Sequence, residues 1–122
     1  MKEALLVFMG GGAGSLLRYL AQTWVGKWWQ NPFPWSTFLV NISGCLLIGV
    51  LLGIIDRQTT PATEWKLLLV TGVCGGYTTF STFSNDGLTL FRQAHYTYFF
   101  AYILGSVALG LLATFAGWVL SK

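Results

Sequence analysis

Five hydroxyl side chains and two phenylalanines crowd one short stretch, Thr78-Thr79-Phe80-Ser81-Thr82-Phe83-Ser84, directly after the pair Gly75-Gly76. Hydroxyls both donate and accept hydrogen bonds, and a phenyl edge carries partial positive charge, so this set is able to replace water around a small ion. Phe80 and Phe83 are three residues apart and share a helix face, with Thr79 and Thr82 forming a neighbouring stripe. An isolated Ser or Thr in an apolar helix ordinarily bonds back to its own carbonyls, and a phenylalanine pair at this spacing ordinarily packs a core. Five hydroxyls around two rings fit an ion or substrate path better. Asn41 adds a carboxamide from the middle of another apolar run, where lipid satisfies neither its N–H donors nor its acceptor. Its commoner use is to join two helices; facing a wet path is the alternative.

Other chemistries find no support. No base, nucleophile and orienting group come together in a pattern that suggests catalysis. The cluster Gly10, Gly11, Gly12 and Gly14 fails as a nucleotide loop: the dinucleotide template needs glycine where Ser15 stands, the phosphate-loop template ending at Gly26-Lys27 needs one where Ala21 stands, and no strand precedes either. The cluster suits close helix packing instead. His95 lacks a companion at metal-ligand spacing, and Cys45 and Cys74 lie inside apolar segments where thiols behave as small hydrophobes. Asn41-Ile42-Ser43 matches a glycosylation sequon but sits within an apolar run rather than an accessible loop.

The elements that hold these residues follow from composition. Of 122 residues, 54% are hydrophobic and 9% charged, against about a quarter charged in soluble domains, which makes this a membrane protein. At roughly 20 residues per crossing the chain divides into four transmembrane helices in a single domain, residues 1–122, with spans at about 4–24, 37–55, 64–92 and 96–120. Residues 4–9 imitate a signal peptide, but the apolar run continues past Gly14, so it is a retained span. Arg18, two-thirds along that span, either snorkels to the interface or sits at a wet mouth that draws in anions. Lys27, Trp28, Trp29, Pro32, Phe33, Pro34 and Trp35 form an interfacial loop, and the turn from Asp56 to Pro61 closes the second span. The third span opens with Thr63 as N-cap and Glu64 in its first turn, and is too long for one regular pass. Breaking it near Gly75 to Thr79 gives two half-helices, the first of which offers free carbonyls to a cation near mid-membrane. In the fourth span Tyr102, Ser106 and Thr114 recur near every fourth residue as a polar stripe able to continue a pathway.

The residues Gly75-Gly76-Tyr77-Thr78-Thr79-Phe80-Ser81-Thr82-Phe83-Ser84, with Asn41 in the preceding span and a glycine-rich start leading to Leu17-Arg18, resemble the CrcB or Fluc family of fluoride channels over essentially the whole chain. The resemblance implies an all-α subunit with its third helix broken, an antiparallel dual-topology homodimer, two anion pores and a structural sodium ion at the dimer centre. It further implies that Asn41, Phe80 and Phe83 line the pore with Ser81 and Thr82 nearby, and that backbone carbonyls of Gly75 and Thr78 hold the sodium. Asp86 stands where many relatives carry glutamate, and Gly110 where serine is frequent. The activity so implied is passive export of fluoride across the cell membrane, with no catalysis.

Charge agrees with a membrane setting. The net charge of +3 is spread along the chain without a basic run, so lipid headgroups rather than nucleic acid explain it. With four passes, Lys2, Arg57, Lys66 and Lys122 fall on one side against Lys27, Arg92 and, where it snorkels, Arg18 on the other. So weak a bias permits insertion in either orientation. Two other functions stay open at this point: a small proton-coupled four-helix exporter, for which Asp86 is the nearest titratable group, and a non-transporting scaffold that packs other membrane subunits.

Overall fold

The computed structural model describes residues 1–59 and 63–122, and the described chain is all-α. Three helices are long and apolar enough to cross a membrane: α1 (Lys2–Gly26), α2 (Trp35–Asp56) and α5 (Tyr96–Ser121). Between α2 and α5 the helical chain comes in two pieces. The first, α3, covers residues 63–77 and changes winding twice, from a turn of α-helix at Thr63–Trp65 through a π-helix at Lys66–Cys74 to a last α-turn at Gly75–Tyr77. The second piece, α4, is Phe80–Arg92.

Thr78 and Thr79 separate the two pieces, with extended backbones at φ −81°, ψ 156° and φ −148°, ψ 118°. This falls inside the interval expected to break. The π-winding of α3 was not expected; i→i+5 bonding is rare over such a length and leaves no mark in the hydrophobic pattern. Two boundaries also differ from expectation. Trp35 belongs to α2 rather than to the loop, because Pro34 stands at the N-cap and its ring-fixed φ, here −79°, leads directly into the helix. Thr63 is already helical and so does not cap α3. Thr60 and Pro61 of the expected turn lie outside the described residues.

Glycines decide which helices meet. A Cβ on Gly72 would stand 2.8 Å from Gly10 Cα, and one on Gly14 would be 2.9 Å from Tyr77 N while striking Val73 O, so α1 and α3 touch backbone to backbone and run parallel. On α2 and α5 the same device recurs: a Cβ on Gly49 would lie 2.9 Å from Thr114 C, and one on Gly117 2.8 Å from Val50 N. These two helices are also parallel, because contacts advance together along both. α1 meets α2 antiparallel, where Gln22 Nε2 donates to Thr37 Oγ1 at 3.3 Å and Ser36 Oγ donates to Gln22 O at 3.3 Å. One end of the molecule therefore gathers the starts of α1 and α3 with the ends of α2 and α5. There Lys2 Nζ pairs with Glu64 at 2.7 Å, and Arg57 Nη1 donates to Ser121 O at 3.3 Å.

The outer surface is apolar. Phe8 is 77% exposed, Leu120 is 82% exposed, and they are joined by Leu16, Leu111 and Phe115. Contact with lipid or protein rather than water suits such a face.

Candidate ion pathway at the helix break

Two orphaned backbone groups at the break are held by a single side chain. The Asn41 carboxamide donates from Nδ2 to Thr79 O at 3.0 Å and accepts from Thr79 N at Oδ1, 2.8 Å. It thus makes the paired bonds that a neighbouring strand would make, which explains how an extended residue persists between apolar helices without unpaired polar groups. The Thr79 hydroxyl then starts the next element: it accepts from Thr82 N at 3.2 Å as the N-cap of α4 and donates to Thr82 Oγ1 at 3.1 Å. Ser81 Oγ lies 3.4 Å from the same oxygen.

These bonds free carbonyls. In an unbroken helix Thr79 N–H would serve Gly75 O and Thr82 N–H would serve Thr78 O, but the first goes to Asn41 and the second to the Thr79 hydroxyl. Thr78 makes the last helical bond instead, its N–H and its hydroxyl both reaching Cys74 O at 3.0 Å. Around Gly75 there is room, since a Cβ there would find its nearest atom, Val70 O, at 4.0 Å.

Beside the break lies a cavity of about 410 Å³, mostly apolar in lining. Asn41, Gly75, Thr78, Thr79, Phe80, Phe83 and Ser106 all border it, which draws residues from α2, α3, α4 and α5 to one place. Phe80 is 79% exposed and its ring stands 5.7 Å from that of Phe83. Ser106 Oγ is buried and has no hydrogen-bond partner, an unspent donor at the wall of the cavity. Among the described residues that line it there is no carboxylate, amine or imidazole.

The remaining expected residues stand elsewhere. Ser81 and Thr82 do not border the cavity; their hydroxyls cluster at the α4 cap. Tyr102 is fully buried, and its hydroxyl donates to Asp86 Oδ2 at 3.2 Å. Arg18 is half-buried on α1, away from the lining, with a buried Nε that meets no acceptor. Gly110 packs close to Cys45, whose Sγ would be 3.4 Å from a Cβ at that position. The Asn41 bracket and the Tyr102 to Asp86 bond are the two features that sequence reasoning missed. Asn41 had left a signal, a carboxamide roughly level with the break on a neighbouring helix, whereas nothing in residue spacing relates Tyr102 to Asp86.

Comparison with known proteins supplies an independent view. A protein-family model described as CrcB-like protein, Camphor Resistance (CrcB), matches residues 5–118. A protein of Flavobacterium psychrophilum named fluoride-specific ion channel FluC is 45% identical over 122 residues, covering 100% of this chain and 98% of its own. Relatives of the same name come from Phocaeicola vulgatus, 49% identical over 117 residues with 96% of each chain covered, and from Bacteroides fragilis, 46% identical over 125 residues with 100% and 98% covered.

Proposed function

Because this chain belongs to the CrcB-like family, we propose that it is a fluoride-selective ion channel, a multi-pass protein of the cell membrane that lets fluoride leave the cytoplasm passively and catalyses no reaction. The observation that carries the reading is the cavity at the helix break, where Asn41, Phe80, Phe83 and the unspent hydroxyl of Ser106 converge. Fluoride is small and strongly hydrated, so its path must offer dense donors in place of water. Asn41 supplies N–H, Ser106 supplies O–H, and the edges of Phe80 and Phe83 supply partial positive charge without a competing acceptor. Ser81 and Thr82 extend the donor set at the α4 cap, and Tyr102 backs the wall. Chloride is larger and less strongly hydrated, so it gains less from such a dense set of donors. Arg18, away from the lining, would act at a distance, its charge enriching anions at a wet mouth.

In this reading α3 and α4 together make the third of four crossings, and two copies associate antiparallel, each inserted with opposite orientation. The open side of the cavity and the outward Phe80 ring suit cover by a second copy, so that each dimer holds two pores. A sodium ion fits the carbonyls of Gly75 and Thr78, which have lost their helical donors and border the cavity. Bound there, it would supply positive charge facing the carbonyls of Gly75 and Thr78. A proton-coupled exporter has less support, since its path needs a titratable group and, among the described residues, no carboxylate, amine or imidazole lines this one.

The test is anion efflux from liposomes holding the purified protein, with fluoride and chloride compared at zero proton gradient and Phe80→Ile as control. Fast fluoride flux, negligible chloride flux and an inactive control are expected. Flux that starts only when a proton gradient is imposed would establish the exporter instead, and no flux under either condition would leave a scaffold.

A further inference from the structure

Phe83 has a support of its own. One turn further along α4, Asp86 lies on the same face, and Tyr102 of α5 meets both residues at once. The Tyr102 ring stands 5.1 Å from the Phe83 ring at 47°, while its hydroxyl donates to Asp86 Oδ2 at 3.2 Å. On another side the Phe33 ring meets Tyr102 edge-on at 5.6 Å and 86°. Thr37, itself buried, receives a bond from Gln22. Gly87 lets α5 come close, because a Cβ there would stand 3.2 Å from Ile103 Cδ1. Tyr102 is 0% exposed, so the ring is held by neighbours on every side and by one strong acceptor at its tip.

From this geometry we propose that Asp86 is a positioning residue for the anion path: by accepting the Tyr102 hydroxyl it fixes the tyrosine ring, and that ring fixes the angle at which Phe83 presents its edge to the cavity. Asp86 does not line the cavity and so does not touch the ion. What matters is its acceptor oxygen at this place, not a charge in the path. An aromatic edge attracts an anion while its face repels one, so a modest rotation of Phe83 changes the sign of the contact. The proposal rests on the channel reading.

The experiment uses the full chain in liposomes and measures initial fluoride efflux, the chloride to fluoride flux ratio, and the intrinsic tyrosine and tryptophan fluorescence of the detergent-purified protein as a check on folding. Asp86→Ala and Tyr102→Phe are each expected to lower fluoride efflux about tenfold, the scale set by losing one hydrogen bond to an ionised group, and to raise the chloride share. The double variant is expected to be no worse than the poorer single, because both remove the same bond. Asp86→Asn keeps an acceptor oxygen and is expected to retain efflux within about twofold, a loss on the scale of a neutral rather than a charged acceptor. Efflux lost in Asp86→Asn as completely as in Tyr102→Phe would overturn the proposal in favour of a direct role for the carboxylate charge. Additive losses in the double variant, or full efflux in Tyr102→Phe, would overturn it as well. Should Asp86→Ala fail to fold, the comparison of Asp86→Asn with Tyr102→Phe decides the matter alone. An inactive parent protein would count against the channel reading instead, so the two failures are distinguishable.

Discussion

At the scale of single residues, Asn41 carries two duties that are usually separate. It borders the cavity, and it also replaces the hydrogen bonds that Thr79 loses by leaving the helix. Two substitutions separate these duties. Asn41→Ala strands the Thr79 N–H and C=O between apolar helices, so thermal unfolding in detergent is expected to show a loss of roughly 1–3 kcal/mol together with lost fluoride flux. Asn41→Asp keeps the acceptor for Thr79 N–H but sets a carboxylate oxygen against Thr79 O and places negative charge beside the anion path. Fluoride flux is expected to fall below detection in liposomes, and undiminished flux would remove Asn41 from the path. Asn41, Phe80, Phe83 and Ser106, which border one cavity, were all legible as candidates because side chains that lipid cannot satisfy, or that sit within hydroxyls, are conspicuous in an apolar chain. The partners of Tyr102 were not legible, since its bond to Asp86 is made between different helices.

At the scale of elements, the break between α3 and α4 follows from local chemistry and from what stands opposite. The glycine pair weakens the helix, Thr79 caps the next one, and Gly44 leaves the space that Tyr77 and Thr78 occupy, a Cβ there meeting Tyr77 Cδ2 at 3.1 Å. The α1 to α3 contact is equally unforgiving. Gly14→Ala sets a methyl against the backbone of Val73, so the helices must part, and the expected cost in thermal unfolding is about 1–3 kcal/mol, as for other overpacked interiors. A gain is available at the turn between α4 and α5. Ala94 sits there at φ 60°, and the bonds His95 N to Leu90 O at 2.9 Å and Ala94 N to Phe91 O at 3.1 Å close the end of α4 around it. Left-handed backbone is costly for alanine and natural for glycine, so Ala94→Gly is expected to raise stability by about 0.5–1 kcal/mol, read as a higher midpoint in the same unfolding assay.

At the scale of the whole molecule, the small excess of cations at one end bears on assembly. Lys2, Lys66, Arg57 and Lys122 lie toward the end where α1 and α3 begin, and Lys27 and Arg92 toward the other. If opposite insertion is needed for pairing, Lys27→Gln with Arg92→Gln should bias every copy to one orientation. A C-terminal tag reached from both faces of the membrane in the parent is then expected to be reached from one face only, with fluoride flux falling in parallel. The sequence by itself determined that this is an apolar multi-pass chain, where its three long apolar helices fall to within a few residues, and that its polar residues gather around a break near Gly75 to Thr79. Those are consequences of transfer to hydrocarbon and of backbone propensity, which act locally and leave their mark on composition and spacing. Only the tertiary structure decided that Asn41 pairs with Thr79, that Ser81 and Thr82 serve the cap of α4, that Tyr102 turns its hydroxyl to Asp86, and that α3 winds as a π-helix. The Asn41 and Tyr102 pairings depend on which donor reaches which acceptor between different elements, while the cap and the π-winding are choices among competing local hydrogen bonds, and no periodicity along one helix records either kind.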